Sequence, residues 1–226
     1  GAFPTQYNNA LGGVLDMNLR KGNNEKHEFV GQLSLIGVDV AAEGPISRKS
    51  GASYLVNYRY STIGLLSDLG VDVGDEQINF ADFSFNIDLP TKKLGDFSLF
   101  WTWGASENIF ETERDQSLWE ENKDRFDINF ESRTYIAGAT HSIGLGDNAF
   151  WKTTLAFSEL SSNRSADLLD DNFVPTNVQG DDITQSKLAL HTRINQKIGA
   201  RSQINAGLNA TQHDYNIVSK DLIEQT

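Results

Sequence analysis

The chain contains no cysteine. That removes disulfides, thiolate catalysis and cysteine-ligated metals together. Proline occurs four times and methionine once in 226 residues. No stretch approaches the roughly 18 consecutive apolar residues of a transmembrane helix. Basic residues are in deficit, with 19 Lys and Arg against 31 Asp and Glu and a formal net charge of −12. Phosphate binding needs a clustered basic face, so no nucleic-acid partner is expected. Helical apolar periodicity, a Gly-x-Ser-x-Gly elbow, a glycine-rich phosphate loop and a His-Glu-x-x-His helix are all missing. Neither an enzyme activity nor a cofactor is expected.

What is present is alternation. Segments of period two cover 28–36, 38–46, 51–64, 78–89, 97–109, 126–143, 150–163, 183–197 and 203–218, which reads as nine antiparallel strands. The split at Gly37 leaves one residue for a hairpin, so 28–46 also reads as a single bent strand. A shorter strand is expected over 12–20. One set of faces is free of charge: Tyr54, Val56, Tyr58 and Tyr60; Phe83, Phe85 and Ile87; Phe97, Leu99, Trp101 and Trp103. Trp151, Leu155, Phe157, Leu188, Leu190 and Leu208 continue it. The other faces carry Asn57, Arg59, Asn86, Asp88, Lys152, His191 and Arg193.

The connections alternate in length: 47–50, 66–77, 91–96, 111–125, 145–149, 165–182 and 199–202. Short turns on one side and long, acidic loops on the other are the habit of transmembrane β-barrels. A barrel strand needs only about 9–11 residues with every second one apolar, so a mean hydropathy of −0.41 is compatible with crossing a membrane. A Lys or Arg on the lipid face costs roughly 2–4 kcal/mol at the midplane, which explains a face cleared of charge.

Two strands break phase. Phe126, Ile128 and Phe130 are even-numbered, whereas Tyr135, Ala137 and Ala139 are odd, and a bulge over 131–134 is expected to absorb the difference. Ile78, Phe80 and Phe83 shift similarly around Ala81. His27, His141, His191 and His213 form no metal-ligand spacing, and Glu159 with Asp167, Asp170 and Asp171 reads as solvated acid groups rather than a catalytic pair. Trp119 lies in a long connection, where it packs on its own loop or stacks on a sugar.

The run Gly1-Ala-Phe-Pro-Thr-Gln-Tyr-Asn-Asn-Ala-Leu-Gly-Gly-Val-Leu-Asp-Met-Asn-Leu-Arg-Lys-Gly-Asn23 resembles the phrase that closes the plug of TonB-dependent outer-membrane receptors. Phe3, Pro4, Tyr7, Leu11, Gly12, Gly13, Val14, Asp16 and Gly22 fit it. The segment from Gly31 to Gly37, followed by Glu43-Gly44-Pro45-Ile46, is similar to the start of the barrel. It matches the branch that carries a carboxypeptidase-regulatory-like domain ahead of the plug. The layout covers the whole chain, and residues 1–65 carry most of the specificity.

The resemblance implies an all-β fold: an antiparallel up-and-down meander belonging to a transmembrane barrel of about 22 strands in the cell outer membrane. Residues 1–26 would end the plug and 27–226 begin the barrel, as a fragment of the parent receptor. It implies TonB-dependent import of an unidentified nutrient. The TonB complex would be engaged through a missing N-terminal region, with a possible surface lipoprotein partner. Asp16 and Arg20 are the expected plug–barrel contacts. Asn57, Arg59, Asn86, Asp88, His191 and Arg193 are expected to face the lumen. Tyr58, Tyr60, Trp101, Trp103 and Trp151 are expected as anchors at the membrane interface, against outer-membrane lipid. Two other readings fit the letters: a structural or adhesive barrel without transport, and a soluble carbohydrate-binding β module. Open strand edges are expected to pair with another copy when the fragment is isolated.

Overall fold

The computed structural model describes residues 12–15, 18–64, 70, 76–112, 114–119 and 122–221. Its strands are β1 (Glu28–Leu33), β2 (Gly37–Ser47), β3 (Ala52–Ser61), β4 (Glu76–Pro90), β5 (Asp96–Phe110), β6 (Phe126–Gly144), β7 (Ala149–Leu169), β8 (Pro175–Gly199) and β9 (Ser202–Asp221). They lie in chain order in a single sheet, each antiparallel to the next. The meander is not closed, and β1 and β9 are its two edges. Short 3-10 turns at Gln116–Leu118 and Asn122–Arg125 shape the β5–β6 connection.

Turn chemistry sets the hairpins. The strand ends that flank 48–51, 91–95, 145–148 and 200–201 lie at one end of the sheet, and those that flank 34–36, 62–75, 111–125 and 170–174 at the other. Gly95 shows why a tight turn selects its residue. Its φ is 81°, and a Cβ there would strike the Ser142 carbonyl of β6, so only glycine fits without moving a strand.

Several expectations change. Gly37 begins β2 after a three-residue turn, Ser34–Ile36, closed by a 2.9 Å bond from the Ser34 N–H to the Gly37 carbonyl. Thus 28–46 is a hairpin rather than a bent strand. The long connection expected at 165–182 is mostly strand. β7 runs on to Leu169, β8 starts at Pro175, and a bulge at Val178 takes up one residue of register. Those residues mix polar and apolar side chains on both faces, with Ala166 and Leu168 on one and Leu169 on the other, so they lack alternation, yet the backbone ladder needs none. The described residues of 12–20 form no strand. The plug-like residues Phe3, Pro4, Tyr7 and Leu11, the acidic run over 71–75, and Asp16 lie outside the described residues.

The bulge expected over 131–134 is absent. Pairing of β6 with β5 and β7 runs without a register shift, and so does β4 with β5. The phase break is instead a change of face. Ile78, Phe80, Phe110, Phe126, Ile128 and Phe130 lie on the face opposite Phe83, Trp103 and Tyr135.

Among the described residues, no protein layer covers the apolar face. Leu155 is 51% exposed, Leu208 59% and Trp151 46%. The only buried apolar side chains among the described residues are Ala52, Ala166 and Leu169. A lone sheet of this size has no enclosed core of its own, so its stability in water is left to the ladder and to whatever contacts the apolar side.

Candidate lumen wall and membrane-facing surface

Register sorts every strand residue onto one of two faces. Tyr58 pairs with Phe83, Phe83 with Trp103, and Trp103 with Tyr135. Trp101, Leu155, Leu190 and Trp151 share that face by the same logic. The rings interlock, with Trp101 centred 5.4 Å from Phe83 and 5.9 Å from Phe85. The Trp151 indole N–H donates to Thr192 Oγ1 at 2.8 Å, so its one polar atom is satisfied within an apolar surface. Tyr58, Tyr60, Trp101, Trp103 and Trp151 therefore lie together on the apolar face.

That face is an oblique band. Its upper border, the first polar side chain past the apolar set, is Asn79 in β4, Glu107 in β5, Arg133 in β6, Glu159 in β7, Ser186 in β8 and Gln212 in β9. The row of directly paired residues through Asn79 passes Glu107, Glu131, Asn163, Asp182 and Val218. Across five strand spacings the border falls about six residues below that row, about 20 Å along against about 24 Å across, a slope of roughly 40°. The lower border falls in the same sense. The row through Leu89 reaches β9 at Leu208, whereas the band there extends down to Ile204. Pairing rows run perpendicular to strands, so a flat slab crossed by strands tilted about 35–45° would mark them in this way. In β5 the band spans Phe97 to Ala105, within the about 9–11 residues such a crossing requires.

The opposite face is polar along the same stretch. Asn57, Arg59, Asn86, Asp88, His191 and Arg193 all lie on it. Arg59 meets Asp82 directly across the ladder at 2.8 Å and lies 5.2 Å over the Phe80 ring. Asn57 Nδ2 donates to Asp39 Oδ1 at 2.7 Å. His191 pairs with Asn209. Among the described residues, no three His, Asp or Glu side chains gather closely enough to hold a metal ion.

Against this face lies the segment 18–27. Arg20 donates twice to the Glu43 carboxylate, both at 2.7 Å, and the Asn23 N–H donates to the same group at 2.8 Å. Asn86 Nδ2 donates to the Arg20 carbonyl at 3.1 Å and to Asp88 at 3.0 Å, while Ser98 donates to Asn86 Oδ1 at 2.9 Å. Asn86 and Asp88 are buried, 3% and 5% exposed. Lys21 reaches Asp88 at 3.9 Å and Asp96 at 3.7 Å. A cavity of about 470 Å³ opens beside this seam, lined by Asn18, Lys21, Asp88, Phe100 and Thr154 among others.

Arg20, Asn86 and Asp88 are thus brought together. His191 and Arg193 lie further along the same face and line a separate cavity of about 350 Å³. Glu43, which accepts from both Arg20 and Asn23, is not among the residues expected from sequence. Its signal is an acid at the polar phase of β2, shared with Asp39 and paired across the ladder with another acid, Glu28.

At the long-connection end, Trp119 packs edge-on against Phe173 at 6.1 Å, with Arg125 5.7 Å from its ring. Gln116 Nε2 donates to the Asp171 carbonyl at 2.9 Å. The 111–125 connection thus rests on the tip of the β7–β8 hairpin. Trp119 packs beyond its own loop, not only within it.

No protein-family model matches the chain, and comparison with curated proteins and with solved structures finds no match. What is established is a class: an all-β, nine-stranded, open antiparallel meander with one apolar and one polar face.

Proposed function

We propose that this sheet is part of the wall of an outer-membrane β-barrel receptor that captures a nutrient outside the cell and admits it in a TonB-dependent way. On this reading the apolar band faces lipid and the polar face lines a hydrated lumen. The segment ending at Lys26 is the close of a plug tied to the wall through Arg20 and Glu43. The observation that carries the reading is the oblique course of the band across the pairing rows. A face covered by a second protein layer has no reason to slope by roughly the tilt of barrel strands. The receptor assignment itself is supported by the resemblance of residues 1–65, and the unpaired edges β1 and β9 suit a wall continued by further strands.

The absence of native cysteine makes the test clean. Single cysteines are placed at Gln116 and at Lys92, on opposite ends of the sheet, in the protein expressed in a Gram-negative host. A membrane-impermeant maleimide applied to intact cells is expected to label the first and spare the second. Equal labelling of both, or recovery of the protein in the soluble fraction, overturns the reading.

A further inference from the structure

We infer that the short-turn end of the sheet is a docking rim for anionic phospholipid, built from paired basic and aliphatic side chains at the border of the apolar band. This rests on the lipid-facing reading of that band.

The chain is acidic as a whole, yet three of its four short turns are basic, the β6–β7 turn being the exception. Arg48 and Lys49 occupy the β2–β3 turn, Lys92 and Lys93 the β4–β5 turn, and Lys197 and Arg201 flank the β8–β9 turn. All six are exposed, and none enters an ion pair with a described residue. Asp147 is the lone acid in these turns. The long connections differ, since Arg114, Lys123 and Arg125 are interleaved there with Glu111, Asp115, Asp124, Asp170 and Asp171.

Each basic turn is accompanied by an exposed aliphatic. Leu94 stands beside Lys93, 64% exposed. Bulges next to two of the turns push one residue out of the ladder, and in both cases it is isoleucine: Ile46, between Pro45 and Ser47, and Ile198, between Lys197 and Gly199. These are 52% and 61% exposed. In water an exposed isoleucine freed by a bulge gains nothing. At the boundary between acyl chains and headgroups the aliphatic enters the apolar side, and the neighbouring ammonium or guanidinium extends to the phosphates.

The geometry favours a surface over a single ion. Along this end the basic turns are separated by about 10 Å and about 20 Å, two and four strand spacings, so the basic groups are spread along a line rather than gathered in a pocket. A free phosphate would need converging donors and no aliphatic neighbours. A leaflet of phosphate headgroups, continuous with the lipid that contacts the band, matches both the line of charge and the isoleucines. Basic residues near an anionic leaflet each favour association by about fivefold at moderate salt.

Trp151 reports on this rim, because it lies on the band beside Leu145 and Ile194 close to the short turns. The full chain is folded into mixed vesicles of phosphatidylcholine and phosphatidylglycerol, with Trp101, Trp103 and Trp119 replaced by Phe. In one preparation the phosphatidylcholine is brominated, in the other the phosphatidylglycerol. The brominated anionic lipid is expected to show about two- to fivefold greater relative association with Trp151 at low salt, declining as salt screens the charges. Lys92→Gln, Lys93→Gln, Lys197→Gln and Arg201→Gln together should abolish that preference, and the corresponding Lys→Arg changes should keep it. Equal quenching by the two lipids overturns the rim while the lipid-facing band stands. A preference that survives neutralisation overturns its assignment to these turns. No quenching by either lipid overturns the band and the rim together.

Discussion

Arg20 and Glu43 form a two-pronged ion pair, both bonds at 2.7 Å, between the extended segment ahead of β1 and the polar face of β2. The planar guanidinium matches the carboxylate, and the Asn23 N–H completes the acceptor. Arg20 is largely exposed, so solvent screens part of the attraction. A double-mutant cycle of Arg20→Gln and Glu43→Gln is expected to give a coupling of about 1 kcal/mol. The readout is the urea midpoint of the segment's release, followed by amide exchange over 20–26. A coupling indistinguishable from zero would remove the pair from the seam.

Gly22 tests the same seam by shape rather than charge. A Cβ at this position would overlap the Tyr54 carbonyl of β3, whereas Gly12 and Gly13 face open space. Gly22→Ala should destabilise the docked segment by about 1–3 kcal/mol, and Gly12→Ala should leave it unchanged. Equal effects at the two positions would show that close approach to β3 does not hold the segment.

Neighbouring residues on β8 separate the faces. Leu190 belongs to the apolar band and His191 to the polar face. In a lipid bilayer, Leu190→Arg is expected to cost roughly 2–4 kcal/mol and His191→Arg less than about 1 kcal/mol. Urea unfolding of the two variants in the same vesicles makes the comparison. A reversed order would mean that the faces have been assigned to the wrong solvents.

Trp119 and Phe173 link two connections at the long end. Phe173 has a φ of 59°, an uncommon conformation for an aromatic residue, in a tip also held by Gln116. Phe173→Ala keeps the backbone cost and removes the ring contact, so about 0.5–1.5 kcal/mol of local stability should go. Hydrogen exchange over 114–119 should quicken, and unchanged protection would show that the hairpin tip does not support the loop.

Asp115 caps the Gln116–Leu118 turn. It accepts from the Ser117 hydroxyl at 2.7 Å and the Ser117 N–H at 3.0 Å. These bonds favour the carboxylate and hold its pKa below the usual aspartate value. The cap's contribution is thus fully present above the unfolded aspartate pKa and is lost as pH falls through the lowered folded value. The Ser117 amide chemical shift should titrate below the ordinary aspartate range. A midpoint at or above that range, or a titration that persists in Asp115→Asn, would contradict the cap.

The antiparallel alternation, and the faces on which Asn57, Arg59, Asn86, Trp101 and Trp103 lie, were legible in the letters, whereas the number of strands was not, since 28–46 divides into two and 12–20 yields none. Period-two alternation is local, and register in an antiparallel hairpin follows from short turns. The phase break in β6 was misread because it satisfies two patterns at once. An inserted residue and a change of apolar face write the same sequence, and only the unbroken pairing of Phe97 with His141 through Phe110 with Ile128 separates them. The 165–182 stretch was misread for the converse reason: polar and apolar residues mixed on both faces carry no periodicity, although their backbones still pair.

The sequence by itself determined the two-faced meander, because each side chain's face depends only on its neighbours along the strand. The tertiary structure alone decided the slope of the band and the seam from Arg20 to Glu43. Both depend on register accumulated across strands and on contacts between residues distant in the chain, which no local pattern encodes.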